Sequence, residues 1–178
     1  MKNKKSKNQQ FAVIGLGRFG STVAKTLFEK GEEVLAVDIR EEVITEAHEY
    51  TTHAVVADVT DERTLRALGI ENFDVVIIGI ASDLEASVLC TLTCKEIGVK
   101  KVIAKAENLK HKMVLERVGA DEVVIPEMEM GEKMGARLEV AAWSRLWRFV
   151  EGRPQRSGGV SEIQAAAEGG TGTYSPNA

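Results

Sequence analysis

The sequence has no apolar run approaching the roughly 20 residues that a membrane span requires. The longest, 75–81, falls far short, so no spanning helix is expected. Cysteine is scarce. Cys90 and Cys94 are the two, one helical turn apart on a segment that reads as helix, with neither zinc-type nor C-x-x-C spacing. They are expected to be buried small hydrophobes in a reduced, cytosolic protein, with no disulfide framework. The three histidines, His48, His53 and His111, are scattered and have no carboxylate or cysteine set at metal-ligand spacing. His48 is expected on an exposed helix face and His53 at a strand start. No Ser/His/Asp or Cys/His arrangement can be argued, so catalysis lacks its residues. Positive charge is not in excess: 23 Lys and Arg face 27 Asp and Glu, a net charge of −4. That balance excludes nucleic acid as the main partner, since phosphate binding runs on surplus Lys and Arg. Lys2, Lys4, Lys5 and Lys7 are a local exception, read as a solvated, flexible arm over residues 1–9. They do not open a signal peptide, because Arg18 ends the apolar stretch that follows and no small-residue cleavage site comes after it.

What is present fits one ordinary domain plus a remainder: 178 residues, 44% hydrophobic and 28% charged. A chain of this length buries a core without a disulfide or metal staple. Over residues 10–138, β-branched runs alternate with helix-period segments. Strands are expected at 11–14, 34–37, 54–57, 75–80, 102–104 and 123–125, each a continuous apolar run, as in strands buried on both faces. Helices are expected at 19–30, 42–50, 61–68, 83–97 and 110–118, several of them stopped by Gly31, Gly69, Gly98 and Gly119. Asp61 or Thr60 caps the third helix, with Ala67 and Leu68 on its buried side. The expected fold is α/β, a Rossmann-type, doubly wound parallel sheet of six strands in the order 3-2-1-4-5-6.

A sixth helix is read over 127–138, starting after Pro126 and Glu127. Its pattern runs on through 139–151 with an apolar stripe of Trp143, Leu146, Trp147 and Val150. The stripe either folds back on the domain or faces a partner. Residues 152–178, rich in Gly, Ser, Ala and Gln, read as a disordered tail.

The first strand runs into Gly15-Leu16-Gly17-Arg18-Phe19-Gly20 and a helix follows, which is G-x-G-x-x-G in its strand–turn–helix setting. Gly15 permits the tight turn, Gly17 lets backbone approach a pyrophosphate, and Gly20 lets helix pack close to strand. The helix N-terminus offers N–H groups and positive dipole to phosphates. The next strand ends at Asp38, about 20 residues on, where a carboxylate accepts both ribose hydroxyls and repels a 2′-phosphate. Arg40 either softens that repulsion or is a solvated charge. Asp58 and Thr60 close the third strand, where an adenine edge would lie; helix capping explains them equally. Ile80, Ala81 and Ser82 close the fourth strand beside the phosphates. Lys105, ending the fifth, is either an anion-site cation or a solvated lysine.

In chain order, the 11–20 stretch, Ala36-Val37-Asp38, His53-Ala54-Val55, the helix over 84–96, Lys105-Ala106-Glu107-Asn108 and Gly119-Ala120-Asp121 resemble one family. It is the N-terminal lobe of RCK (KTN) domains, the cytosolic regulators of bacterial Ktr and Trk potassium uptake systems. The resemblance covers residues 9–138 and is nearest to the Ktr regulatory subunit. It implies a non-enzymatic sensor that binds ATP, ADP or NAD(H) and forms a homo-oligomer, a dimer or an octameric ring. The sensor lies in the cytoplasm, peripheral to the inner face of the membrane beneath a separate potassium channel subunit, and its ATP/ADP state gates the pore. By position, Gly15, Leu16, Gly17, Arg18, Phe19 and Gly20 would cradle phosphates, and Asp38, Ile39 and Arg40 would lie at the ribose. Asp58, Val59 and Thr60 would face adenine. Ile80, Ala81, Ser82, Lys105, Ala106 and Glu107 would border the phosphates. Arg18 would reach the terminal phosphate of a neighbouring subunit's nucleotide. Glu127 matches a family carboxylate that helps to hold a cation, Mg2+ or another, at the subunit interface; on the residues alone it is a helix N-terminal acid favoured by the dipole.

The chain departs from the family in two ways. Arg40 stands where a polar or acidic residue is frequent. The second, ligand-binding lobe is expected to be absent, with residues 139–178 a truncation, a shifted reading frame or an appended sequence. The competing function is an NAD-dependent oxidoreductase or a fragment of one, because Asp38 suits NAD as well as ATP. Against it, a dehydrogenase needs a second module to hold substrate beside the nicotinamide. A plain interaction module docking through the tryptophan stripe is the third reading.

Overall fold

The strand–helix alternation folds into an open parallel sheet between two helical layers. In the computed structural model, which describes residues 9–141, β1 (Gln10–Ile14), β2 (Glu33–Asp38), β3 (His53–Val56), β4 (Val75–Ile78), β5 (Val102–Lys105) and β6 (Glu122–Val124) pair in the order β3-β2-β1-β4-β5-β6. Every pairing is parallel, the doubly wound order that the alternation predicts. The helices are α1 (Arg18–Glu29), α2 (Glu41–Ala47), α3 (Glu62–Ala67), α4 (Leu84–Glu96), α5 (Leu109–Arg117) and α6 (Pro126–Ala141). A 3-10 turn at Ile70–Asn72, which the sequence reading lacked, leads into β4. The described residues fall into two units, the first ending at Glu132 and the second opening at Lys133. All of the basic arm over 1–9 except residue 9, the stripe of Trp143, Leu146, Trp147 and Val150, and the tail lie outside the described residues.

Successive strand residues feed opposite layers, which is why the central strands read as unbroken apolar runs. Ala12, Ile14, Leu35, Val37, Val76 and Ile78 face a layer holding Leu65, Cys90, Cys94 and Leu115. Val13, Val34, Ala36 and Ile77 face the other, with Ala24, Ile44 and Ala47. Each fully buried Val, Leu or Ile stabilises by about 1.5–3 kcal/mol. The edges depart from the two-sided pattern: β3 has no buried residue and Val56 is 47% exposed, because an edge strand has a neighbour on one flank alone. Both cysteines are buried as expected. The Cys94 neighbour and burial push the Cys90 thiol well above its ordinary value, which makes it unreactive.

All four glycines read as helix stops have positive φ. Two helix details differ from expectation. In α3 the buried residue is Leu65, while Ala67 is exposed. Helix α2 ends at Ala47 instead of near residue 50, because the buried Thr51 hydroxyl donates to the Ala47 carbonyl at 2.7 Å and turns the chain toward β3.

Candidate functional site

At the carboxyl edge of the sheet the strand order reverses between β1 and β4, the switch point at which open α/β sheets place their ligands. Gly15 leaves β1 at φ +86, a left-handed conformation suited to glycine. Its N–H donates to the Val37 carbonyl at 2.8 Å, and the Gly79 N–H donates to the Ile14 carbonyl at 2.7 Å. The Gly15 carbonyl is then crowded from two sides. A Cβ on Gly20 would overlap it outright, and a Cβ on Gly79 would approach it to 2.6 Å. Gly20 therefore serves the tight packing read from the motif, whereas Gly79 is a third member that sequence reading missed. Gly17 differs, since a Cβ there would meet nothing within 4 Å, which leaves the front of the turn open.

Helix α1 begins at this turn and is unlike its neighbours. Asp61, Asp83 and Asn108 cap α3, α4 and α5 through their side chains, and α2 carries Glu41 and Glu42 in its first turn. Helix α1 has Gly17 as N-cap, no side-chain cap and no acid in its first turn. Its leading N–H groups and its positive end face outward, the local chemistry of an anion site. Arg18, its first residue, is exposed; its carbonyl accepts the Thr22 hydroxyl at 2.7 Å, while its side chain makes no hydrogen bond or ion pair among the described residues. Leu16 is buried in the core, but its N–H turns back to donate to Asp38 Oδ2 at 2.7 Å.

Asp38 is buried at the end of β2. Its Oδ1 accepts the Arg40 N–H and Nε, each at 3.0 Å, and its Oδ2 accepts Arg40 Nη2 at 3.0 Å. Burial alone would raise this carboxyl; the bonds from Arg40 and Leu16 outweigh it and hold it below its ordinary value. Arg40 is thus neither a free surface charge nor an independent cation, but the partner of the Asp38 carboxylate.

A cleft of about 320 Å³ opens here, at the small end of ligand sites. Of the residues expected at the site, Gly15, Asp38, Ile39, Asp58, Val59, Thr60 and Ile80 line it together. Asp83 and Ala86, from the start of α4, join them and were missed; the signal available was a capping aspartate just after β4. Asp58 and Thr60 do not cap α3, as one reading held. Asp58 Oδ1 accepts both the N–H and hydroxyl of Thr60, at 2.9 and 2.6 Å, in a turn of its own, while Asp61 takes the cap. Ala81, Ser82 and Glu107 line a second cleft of about 300 Å³ with His111. There the Glu107 N–H donates to His111 Nδ1 at 3.4 Å and His111 Nε2 lies 3.2 Å from Ser87 Oγ. Leu16, Gly17, Arg18, Phe19, Gly20, Lys105 and Ala106 line neither cleft. Ala106 is core, its N–H bonded to the Val124 carbonyl.

Lys105 is not a solvated lysine: its side chain is 17% exposed, with Nζ 3.0 Å from Glu127 Oε1 and 6.0 Å from the Phe19 ring centre. It therefore stands beside the start of α1. The backbone N–H of Glu127, then Lys105, hold the Glu127 carboxyl below its ordinary value, with Arg18 adding to the pull. Among the described residues no group of three His, Cys, Asp or Glu side chains could hold a metal ion. With Glu127 paired to Lys105, the donors among the described residues do not by themselves fit Mg2+.

Comparison with known proteins bears on this geometry. A family model described as the TrkA-N domain matches residues 11–126. The chain is 49% identical over 132 residues to the Ktr system potassium uptake protein A of Bacillus subtilis, covering 74% of this chain and 60% of that protein. It is 47% identical over 126 residues to the Ktr system potassium uptake protein C of the same organism, covering 71% and 57%. It thus spans about three-fifths of the length of the curated relatives it matches. Among solved structures, the NAD(P)-binding domain of an exopolyphosphatase-related protein from Archaeoglobus fulgidus aligns with TM-score 0.66 and 27% identity, over 74% of this chain and 98% of that one. The GsuK channel bound to NAD aligns with TM-score 0.58 and 17% identity, over 69% and 22%, which shows shared fold.

Proposed function

This chain belongs to the TrkA-N domain family, and on that premise we propose that it is the nucleotide-sensing part of a regulatory component in a Ktr- or Trk-type potassium uptake system. The observation that carries the reading is the meeting, at the switch point, of the uncapped α1 N-terminus, the Gly15 turn and the Asp38 carboxylate. The adenosine end lies in the cleft, with ribose hydroxyls donating to Asp38 and the base beside Asp58 and Val59. The phosphates lie on the α1 N-terminus, where N–H groups and the helix dipole favour an anion, and Lys105 adds positive charge nearby.

The role is binding, not catalysis, and the potassium uptake names of the relatives support that assignment. ATP, ADP and NAD(H) are the ligand class; the GsuK channel solved with NAD supports a nicotinamide nucleotide on this fold. In the proposed mechanism the chain forms a homo-oligomer, a dimer or an octameric ring, in the cytoplasm against a membrane potassium channel subunit. ATP and ADP hold different assembly shapes, and shape gates the pore. A cation such as Mg2+ enters with ATP at the interface between copies.

Calorimetric titration of ATP, ADP and NADH, with and without magnesium, into nucleotide-stripped protein tests the reading, together with sedimentation in saturating ATP and ADP. The expected outcome is competition between ATP and ADP, a cation response for ATP alone, and two sedimentation profiles. Identical profiles, or NADH binding far tighter than either, overturn the sensor reading and favour an NAD-dependent oxidoreductase.

A further inference from the structure

The carboxylate that would take the ribose is already saturated from within the chain. A carboxylate offers about four lone-pair positions. On Asp38 all four are used: Oδ2 accepts the Leu16 N–H and Arg40 Nη2, and Oδ1 accepts the Arg40 N–H and Arg40 Nε, at 2.7–3.0 Å. The two backbone donors belong to the β1 and β2 turns and cannot leave without unmaking them. The two guanidinium donors can leave, since the Arg40 side chain is 49% exposed. A guanidinium fork and a ribose 2′,3′-diol present the same feature to a carboxylate, two parallel donors.

From this geometry we propose that Arg40 is an intramolecular competitor for the ribose position, a specificity-determining residue that sets how strongly the site prefers a ribose diol. The inference rests on the nucleotide reading above. A diol enters only by displacing the Arg40 fork, so its bonds to Asp38 replace an existing ion pair instead of adding to the fold. A ligand with the same base and phosphates but no diol leaves the pair intact. Arg40 therefore compresses the difference in affinity between the two ligands. Its long-range attraction for phosphate acts on both ligands alike and cancels from their ratio.

The test is the ratio of dissociation constants for 2′,3′-dideoxy-ADP and ADP, measured by calorimetry without magnesium on the full chain and on its Arg40→Ala and Arg40→Lys variants. For a half-exposed charge-assisted pair, the ratio is expected to widen about threefold to tenfold in Arg40→Ala. It should widen less in Arg40→Lys, which keeps the charge but cannot chelate both oxygens. A ratio that is unchanged or narrower in both variants, with ADP still binding, overturns the competitor role and leaves the nucleotide reading standing. Failure of ADP to bind the unaltered chain and both variants overturns the two together.

Discussion

Gly79→Ala separates the scaffold of the site from its contacts. The added Cβ would stand 2.6 Å from the Gly15 carbonyl oxygen, 3.4 Å from the Ile14 carbonyl oxygen and 3.5 Å from the Gly20 Cα. All three neighbours are backbone, so no side chain can swing aside, and the Gly79 N–H must keep its 2.7 Å bond to Ile14. Relief comes only from spreading β1 and β4, at the cost of overpacking, about 1–3 kcal/mol. With a urea dependence of about 1–3 kcal/mol per molar, the unfolding midpoint should fall by about 1 M. ADP affinity should fall with it, because the spread moves the Gly15 turn. Gly17→Ala is the contrast. Its Cβ meets nothing within 4 Å and its φ is −70, so the fold is unstrained. The methyl group projects where a pyrophosphate would approach, so ADP affinity should drop with the urea midpoint unchanged. Urea unfolding and calorimetry on both variants decide. A Gly79→Ala midpoint within experimental error of the parent refutes the packing argument, and a Gly17→Ala variant that binds ADP normally refutes the placement of phosphate on this turn.

Arg18→Ala should weaken ATP more than ADP, and Asp38→Ala should weaken both, by about 1.5–3 kcal/mol for one lost charge-assisted hydrogen bond; equal losses for the two nucleotides in the Arg18 variant defeat terminal-phosphate sensing. Asp121 accepts the Val102 N–H at 2.7 Å and Lys95 Nζ at 2.8 Å, at the start of β5. Asp121→Ala should destabilise by about 1–3 kcal/mol through the buried N–H it strands while leaving ADP affinity unchanged, and an unmoved urea midpoint refutes this. Burial pushes the His111 imidazole below its ordinary value against the opposing pull of Glu107. The folded state then binds fewer protons than the unfolded one, so this contribution is present above about pH 6.5 and lost as pH falls. The urea midpoint should drop between pH 7.5 and pH 5.5, and drop less in His111→Gln; equal drops in both exclude His111 as the cause.

Strand order and helix positions were legible because each rests on short-range signals that the chain repeats. Continuous apolar runs mark β1, β2 and β4, glycines stop four helices at positive φ, and the strand–turn–helix glycines fix the first crossover. The site was legible as a place, since the strand ends of a doubly wound sheet converge by topology. Its internal chemistry was less so. Gly79 meets Gly15 only after β1 and β4 pair, and nothing in the local sequence marks it as part of the glycine turn. Asp38 and Arg40 are two residues apart, yet whether the guanidinium turns inward or outward is a rotamer choice. The pairing of Lys105 with Glu127 joins the end of β5 to the first turn of α6, so each residue was read with a separate role. Asp83 and Thr51 had no role in the sequence reading, yet the first caps α4 and lines the cleft and the second sets where α2 stops.

Charge placement links these observations. Two cations border the candidate site on the sheet side, and each is tied to a carboxylate of its own chain, Arg40 to Asp38 and Lys105 to Glu127. A cation already neutralised at 3.0 Å contributes little net field to an incoming phosphate, because its partner's opposite charge cancels most of it beyond the pair. Within one chain, the attraction for phosphate then falls mainly to the α1 N-terminus, a partial charge of about half a unit. That is a weak basis for telling a triphosphate from a diphosphate, since both present phosphate oxygens to the same turn. The extra charge of ATP has to meet something further out, and Arg18 is an exposed cation at that end whose side chain makes no hydrogen bond or ion pair among the described residues, with only a longer-range pull on Glu127. A lone chain should therefore bind ATP and ADP with similar affinity. Discrimination should appear only where Arg18 of one copy, or an added cation, closes over the nucleotide of another. Dilution below the assembly threshold should erase the ATP preference while leaving Asp38-dependent binding in place, and an ATP preference that survives in the monomer locates the discriminating charge within the single chain.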